Sequence, residues 1–363
     1  MTGARLTRTE PWAEAALAAV LDRVAVTRAG VGDRFPLFAD PGTGRWTTTG
    51  RGSWAGGFWA GLLWLRARHT GAEPDRAAAV ACTARLAPWA EADTATRGLI
   101  LWYGTALAGD DPAAAALRDR AAGECLAAFD PGLGLVPWGS ALGGPRLLAR
   151  SDAVPGMVPL LAAAGPAGVA AAAAHLHRHL DLCLGREALR HAWEFEPEAG
   201  WRPCAEPPPG WSRGRAWLLL ALAEALHRSG TPKWRPERLT AAVERLLPGG
   251  PLVPPADEAR PEGPADTSAA AITAVALLAL GRLPGPHAQA YTRRGEAVLR
   301  RLAAAHLTGR GGGRPAGMLL DGCYDAARST ATRHELVWGD FFLALGLAAL
   351  TGLVDLTEAY GPS

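Results

Sequence analysis

An apolar, Leu- and Ala-rich run that stops at glycine recurs along this chain. It appears as GLLWLRARHTG ending at Gly71, as ILWYGTALAGD with its glycine at Gly109, and as VPLLAAAGPAG. It returns as LLLALAEALHRSG ending at Gly230, as AVALLALGRLPG, and as FFLALGLAALTG ending at Gly352. Glycine suits the left-handed residue that closes a helix, so each run reads as a helix with its own stop signal. A second, more polar, Ala/Arg-rich helix follows such a run, as in PDRAAAVACTARLAPWA and PAAAALRDRAAGECLAAF. Few segments alternate with β-branched residues, so strands are nearly absent from the pattern.

Self-similar helix pairs imply stacked or closed repeats. About six units fill the 363 residues, with spacing too irregular for a regular helical-repeat array. A closed toroid of six inner and six outer helices, the (α/α)6 barrel, accounts for both the count and the length. The chain therefore reads as all-α and as one domain over residues 1–363, with an open α-solenoid as the structural rival. The Pro- and Gly-rich joints FADPGTGRWTTTGRGSW, PCAEPPPGW and PPADEARPEGPADTS become loops at one mouth of the barrel, where functional residues gather.

Composition narrows the function classes. Apolar residues make up 49% and charged residues 20%, which suits a soluble globular chain. A net charge of +2 with almost no lysine offers no field for nucleic acid or a membrane surface. The apolar runs are too short to span a bilayer. The start, MTGARLTRTEPWAEAALAAVLDRV, reads as a loop and then an amphipathic helix rather than a signal peptide, so the expected location is cytoplasmic. The five cysteines are scattered and show no metal-ligand spacing, so neither a disulfide framework nor a metal or other cofactor is expected. The expected partner is a small molecule, a sugar or another ring compound.

Tryptophans cluster where loops enter inner helices: Trp54 and Trp59 in SWAGGFWAG, Trp138 in LVPWGS, Trp211 and Trp217 in GWSRGRAW, Trp338 in HELVWGDFF. Taken singly, each is more simply a core residue. Their shared placement favours a sugar platform, because aromatic faces stack on sugar rings while arginine forks a carboxylate. Asp152 precedes an apolar run, DAVPGMVPLL, which suits either a helix cap or a carboxyl kept in the protonated form that an acid catalyst needs.

Six ordered segments resemble the unsaturated glucuronyl hydrolases and the related unsaturated rhamnogalacturonyl hydrolases. WAGGFWAGLLWL resembles W-T-x-G-F-W-x-G-x-L-W-L, and RSDAVPGMVPLL resembles a central Asp motif. HAWEFEPEAG resembles a His-containing strand-like segment, and GWSRGRAW resembles W-A-R-G-Q-A-W. DTSAAAITAVALL resembles D-S-S-A-A-A-I-A-A-x-x-L, and HELVWGDFF resembles E-L-I-W-G-D-Y-Y. The resemblance spans nearly the whole chain and implies an (α/α)6 barrel that hydrates the C4=C5 bond of an unsaturated uronic acid at a chain end. It implies that Asp152 protonates the enol-ether carbon and activates water, after which the hemiketal collapses and the glycosidic bond breaks. It makes His191 a substrate contact, and makes Trp211, Arg213 and Trp217 one wall of the site. Trp54 and Phe58 become a facing aromatic pair, and Trp138 a further wall residue. Arg215 has no counterpart and reads as a rim residue.

The pattern also departs from that family. Where its third inner helix begins with His-Asp-x-Gly-Phe, this chain has ADTATRGLILWYG. Aligning Gly98 with the motif glycine puts Ala95 and Thr96 at the His and Asp positions, leaving Asp93 or Asp321 as candidate replacements. CAEPPPGW lacks the family's usual Gln and Asp. A repurposed barrel is therefore the alternative: an enzyme that protonates, isomerises or cyclises a non-uronyl alkene or enol, or a non-catalytic carbohydrate binder. A terpene-cyclase barrel lacks its acidic metal motif, and a lanthionine-cyclase-like barrel lacks its Cys/Cys/His zinc set.

Overall fold

The computed structural model describes residues 11–185, 188–228, 230–247 and 249–357. The loop expected at the N-terminal start falls among residues outside these ranges. Six inner helices form the wall of a barrel: α2 (Gly56–Thr70), α4 (Tyr103–Thr105, entered through a π-helical turn Gly98–Trp102), α6 (Met157–Ala162), α8 (Ser212–Leu226), α10 (Thr267–Leu280) and α12 (Val337–Leu350). Each packs on the next, and α12 packs back on α2, so the ring is closed and not an open superhelix.

Outside lie α1 (Pro11–Val31), α3 (Glu73–Ala84), α5 (Pro112–Ala127), α7 (Gly165–Leu184), α9 (Pro236–Leu246) and α11 (Ala288–Ala305). Five of these follow the inner helix they cover, and α1 closes the circle against α12. The two classes differ in burial as their sequences do. Every residue of α10 except Thr273 is buried, whereas α11 buries only Gly295, Val298, Leu299 and Leu302. A helix apolar all round must be enclosed, and one with a single stripe covers it. Gly71 caps α2 at φ +64 and Gly352 follows α12 at φ +75, the left-handed stops read from the sequence.

Two small antiparallel sheets, met in the sequence only as the strand-like segment HAWEFEPEAG, decorate the ends of the inner helices. One orders β2 (Trp46–Thr49), β1 (Phe35–Ala39) and β6 (Glu335–Leu336). The other orders β3 (Leu148–Arg150), β4 (Ala192–Glu196) and β5 (Gly200–Pro203). Their strands are two to five residues long, too short for a periodic signal. They matter because β3 leads directly into Asp152 and β6 into α12. No helix among the described residues is long and apolar enough to cross a membrane.

Inner helices approach closely through small residues. A Cβ on Gly98 would stand 2.1 Å from Met157 N and 2.6 Å from Gly156 C, both backbone atoms that cannot step aside. Gly98→Ala should therefore push the π-helical turn off α6 and cost about 3 kcal/mol or more, the upper range for overpacking. Gly123→Ala, on outer helix α5 with nothing within 4 Å, should instead gain roughly 0.5–1 kcal/mol. Denaturant midpoints of the two variants check the contrast. Equal midpoints would contradict the packing described for the inner ring.

Candidate active site

A cavity of about 840 Å³ opens at the mouth where the joint loops meet the inner helices. Trp54, Trp138, Asp152, Trp211, Arg213 and Trp217 all line it. Trp54 sits in a 3-10 turn, Ser53–Ala55, before α2, and its ring lies 6.2 Å from Tyr324 and 4.6 Å from Trp338. Trp211 enters α8 from a loop pinned to the Ala256–Glu258 segment: Ser212 N–H donates to Ala256 O at 3.1 Å and Glu258 N–H to Gly210 O at 2.8 Å. Trp217, one turn and a half further along α8, is buried and forms part of the floor. Trp138 stands opposite on the loop before β3, its indole N–H donating to Gly143 O.

Asp152 lies in a 3-10 turn, Ser151–Ala153, between β3 and α6. It caps no helix. Nor is its immediate surrounding apolar, as the sequence suggested. Arg150 grips it with two parallel bonds, Nε to Oδ1 at 2.9 Å and Nη2 to Oδ2 at 3.0 Å. The two side chains remain 25% and 18% exposed, so the pair faces the cavity. Arg150 also lies over the Trp138 ring at 4.9 Å. The signal for Arg150 was its place two residues before Asp152, close enough along the chain for its fork to reach the carboxylate once the strand ends in a turn.

The turn is held from three sides. Ser151 N–H donates to His191 O at 2.9 Å, extending the β3–β4 ladder by one bond. His175 accepts Val136 N–H at Nδ1 (3.1 Å), and its Nε2–H donates to Ala153 O at 3.4 Å, which ties the loop that carries Trp138 to the Asp152 turn. Glu224 accepts Gly156 N–H at 2.9 Å and the Tyr103 hydroxyl at 2.6 Å. Burial pushes His175 well below its ordinary range, and the neighbouring His179 adds to this, so it works as the neutral tautomer these bonds require.

Two expectations need correction. Phe58 does not line the cavity. It is fully buried on the barrel axis, ringed by Tyr103, Trp217, Phe341 and Phe342, because it falls inside α2 while Trp54 falls in the turn before it. His191 is also buried and off the cavity wall. Its Nε2–H donates to Pro209 O at 3.3 Å, its Nδ1 accepts from Ser151 Oγ at 3.3 Å, and its ring meets Trp211 edge-on at 5.4 Å. Burial lowers its pKa to about 4, so it supports the Trp211 wall as a neutral ring. Arg213 reaches the cavity, but its donors are engaged by Asp266, by Cys323 O at 2.5 Å and by Tyr324 O at 2.7 Å. These bonds fasten α8 to α10 and to the 323–324 loop. Arg215 pairs with Glu258 at 2.7 Å near the rim.

Neither proposed replacement carboxylate reaches the cavity. Asp93 organises the loop after Trp138, accepting Ser140 N–H and Oγ–H and Arg146 Nε–H at 3.0–3.2 Å. Asp321 pairs with His306 at 2.8 Å. Thr96 itself lines the cavity and hydrogen-bonds Thr94 at 2.9 Å. The remaining acids belong to the mouth: Asp257 and Asp325 pair with Arg260 and Arg328, and Glu206 and Glu262 are exposed. Among the described residues no group of three or more His, Cys, Asp or Glu side chains could hold a metal ion.

No protein-family model matches the chain. It is 26% identical over 350 residues to an unsaturated glucuronyl hydrolase of Bacillus sp. (strain GL1), a span covering 88% of this chain and 91% of that protein. A crystal structure of the unsaturated glucuronyl hydrolase from Bacillus sp. GL1 superposes with a TM-score of 0.78 at 23% identity, covering 93% of this chain and 96% of that one. The unsaturated glucuronyl hydrolase from Streptococcus agalactiae gives 0.79 at 17% identity, covering 97% and 95%.

Glu224 makes the support of the turn pH-dependent. Desolvation raises its pKa from 4.5 to about 7, against the Tyr103 and Gly156 bonds that oppose the shift. A carboxyl whose folded pKa lies above its unfolded one contributes stability below pH 4.5 that is lost as pH rises through 7. The stability of wild type relative to Glu224→Gln should fall by up to about 3 kcal/mol across that window and stay flat above it. Denaturation at a series of pH values reads this directly, and a pH-independent difference would remove Glu224 from the titrating groups.

Proposed function

We propose that this chain, whose relatives are unsaturated glucuronyl hydrolases, is a glycoside-hydrolase-type enzyme of their kind acting on an unsaturated uronyl sugar. The observation that carries the reading is the placement of Asp152, a partly exposed carboxyl in a cavity walled by Trp54, Trp138 and Trp211 and floored by Trp217. Indole faces take the C–H faces of a sugar ring and leave its edge to the carboxyl. Residues 1–363 are read as one domain, and a cytoplasmic setting is supported by five free cysteines, four of them buried.

The chemistry follows from that placement. The protonated Asp152 carboxyl gives its proton to C4. The C4=C5 electron pair forms the new C–H bond, and the positive charge left at C5 is shared with the ring oxygen. Water adds to C5 and returns a proton to the Asp152 carboxylate. The product is a hemiketal, whose opening at C5 frees C1 and releases the attached sugar. One group serves as acid and then base, as a carboxyl with water access can. Thr96, at the position of the missing family Asp, neither supplies nor takes a proton at neutral pH, so both roles fall on Asp152.

Incubation with an unsaturated uronyl disaccharide, followed by loss of its ultraviolet absorbance, tests the reading. Asp152→Asn should lower kcat by roughly 10²–10⁴-fold while binding of the disaccharide persists. Turnover unchanged in Asp152→Asn would sink the mechanism. Failure of the wild-type protein to turn over or bind the disaccharide would overturn the substrate class.

A further inference from the structure

The enol ether of an unsaturated uronate carries its carboxylate on C5, the carbon next to the one that is protonated. An acid placed at C4 therefore has the substrate's own anion beside it, and that anion needs a cation. The cavity holds four arginines. Arg213 is buried and bound to Asp266 and two carbonyls. Arg260 and Arg328 lie at the rim, 74% and 84% exposed, paired with Asp257 and Asp325. Arg150 alone stands beside the reacting carboxyl, and Asp152 is its hydrogen-bonding partner. Its guanidinium carbon lies 4.9 Å from the Trp138 ring centre, a cation–π contact that anchors the group in the cavity wall.

We propose that Arg150 is the substrate-carboxylate receptor of this site and that Asp152 occupies it until substrate arrives. The inference rests on the uronyl-hydrolase reading above. In the free enzyme the fork binds Asp152, an internal carboxylate standing where the uronate carboxylate will lie. When the uronate binds, its carboxylate takes over the fork, because one planar guanidinium edge accommodates one carboxylate in the two-bond geometry. Asp152, released, is protonated from bulk solvent and delivers that proton to C4, and the water that attacks C5 gives its proton back to the Asp152 carboxylate. The net reaction adds one water across C4=C5, and the proton left on Asp152 returns to bulk solvent when product leaves and the fork closes on the carboxylate again. The acid is thereby armed by the functional group that identifies the substrate, and a neutral ring of the same shape leaves Asp152 clamped as a carboxylate. This arrangement also answers the departure at Thr96, since recognition of the anion is built into β3 and needs no polar partner from the third inner helix.

The test compares the unsaturated uronyl disaccharide with its C6 carboxamide, which keeps the ring and the double bond but not the charge. Wild type should favour the carboxylate by about 100-fold or more in kcat/KM, the range of a lost charge-paired contact. In Arg150→Gln the preference should fall below about 10-fold, with the loss confined to the carboxylate substrate, and Arg150→Lys should recover part of it. If Arg150 merely shapes the Asp152 turn, both substrates would lose rate together and the 100-fold ratio would survive in Arg150→Gln, which overturns the proposal. Equal rates of wild type on the two substrates would overturn it without any variant, so a misfolded Arg150→Gln leaves the test standing. Wild type inactive on both would instead remove the uronyl-hydrolase reading on which the proposal stands.

Discussion

Phe58 is the point on which the barrel closes. Its ring centre lies 5.4 Å from Tyr103, 6.1 Å from Trp217, and 5.5 Å from both Phe341 and Phe342, so residues of α2, α4, α8 and α12 meet at one fully buried side chain. A ring of six helices would leave a hole along its axis, and large aromatics with offset and edge contacts fill such a space well. Each contact adds about 0.5–1.5 kcal/mol to the burial of the rings. The plug also has a second surface. Trp217 belongs to the plug on one side and to the cavity floor on the other, so the depth of the site is set by the packing that closes the fold.

Above this apolar floor the protein places a polar turn, and every support of that turn comes from elsewhere in the chain. His191 holds Ser151, His175 holds Ala153, and Glu224 holds Gly156. Buried polar groups in an otherwise apolar barrel are costly unless paired, and paired ones select a single arrangement. The two histidines act as neutral, tautomer-specific struts, and burial pushes Glu224 up to about 7, so holding its carboxyl beside Gly156 costs more stability as pH rises through neutrality. The orientation of the Arg150–Asp152 pair thus depends on groups that never touch a substrate.

Ring closure has its own polar counterpart. Arg23 on α1 donates to Glu335 on β6, two residues before α12, through Nε at 3.0 Å and Nη2 at 2.7 Å, both side chains nearly inaccessible, and its Nη2 also reaches Gly44 O at 2.8 Å. This pair joins the first helix to the last inner one, more than 300 positions apart in the chain. Its removal in halves would leave an unpaired charge in the wall, which is the expensive way to break a buried ion pair.

The sequence by itself determined the inventory and its order. Alternating apolar and Arg-rich helices with glycine stops specify six inner and six outer layers, since burial on all sides and burial on one stripe are legible in composition along a helix. The tryptophans at loop–helix junctions and Asp152 before its apolar run were legible for the same local reason. Only the tertiary structure decided which side chains face the cavity. Trp54 and Phe58 lie four positions apart in one motif, yet a 3-10 turn sends the first outward and the helix sends the second to the axis. The partners of Arg213 could not be read from GWSRGRAW, because Asp266 and Cys323 lie 53 and 110 positions away. His191 turned inward because Gly214, with no Cβ, leaves room for its ring. Hydrogen bonds and ion pairs of this kind are made across the barrel, between residues that no local periodicity relates, and the role of each polar group is set by what the closed ring brings beside it.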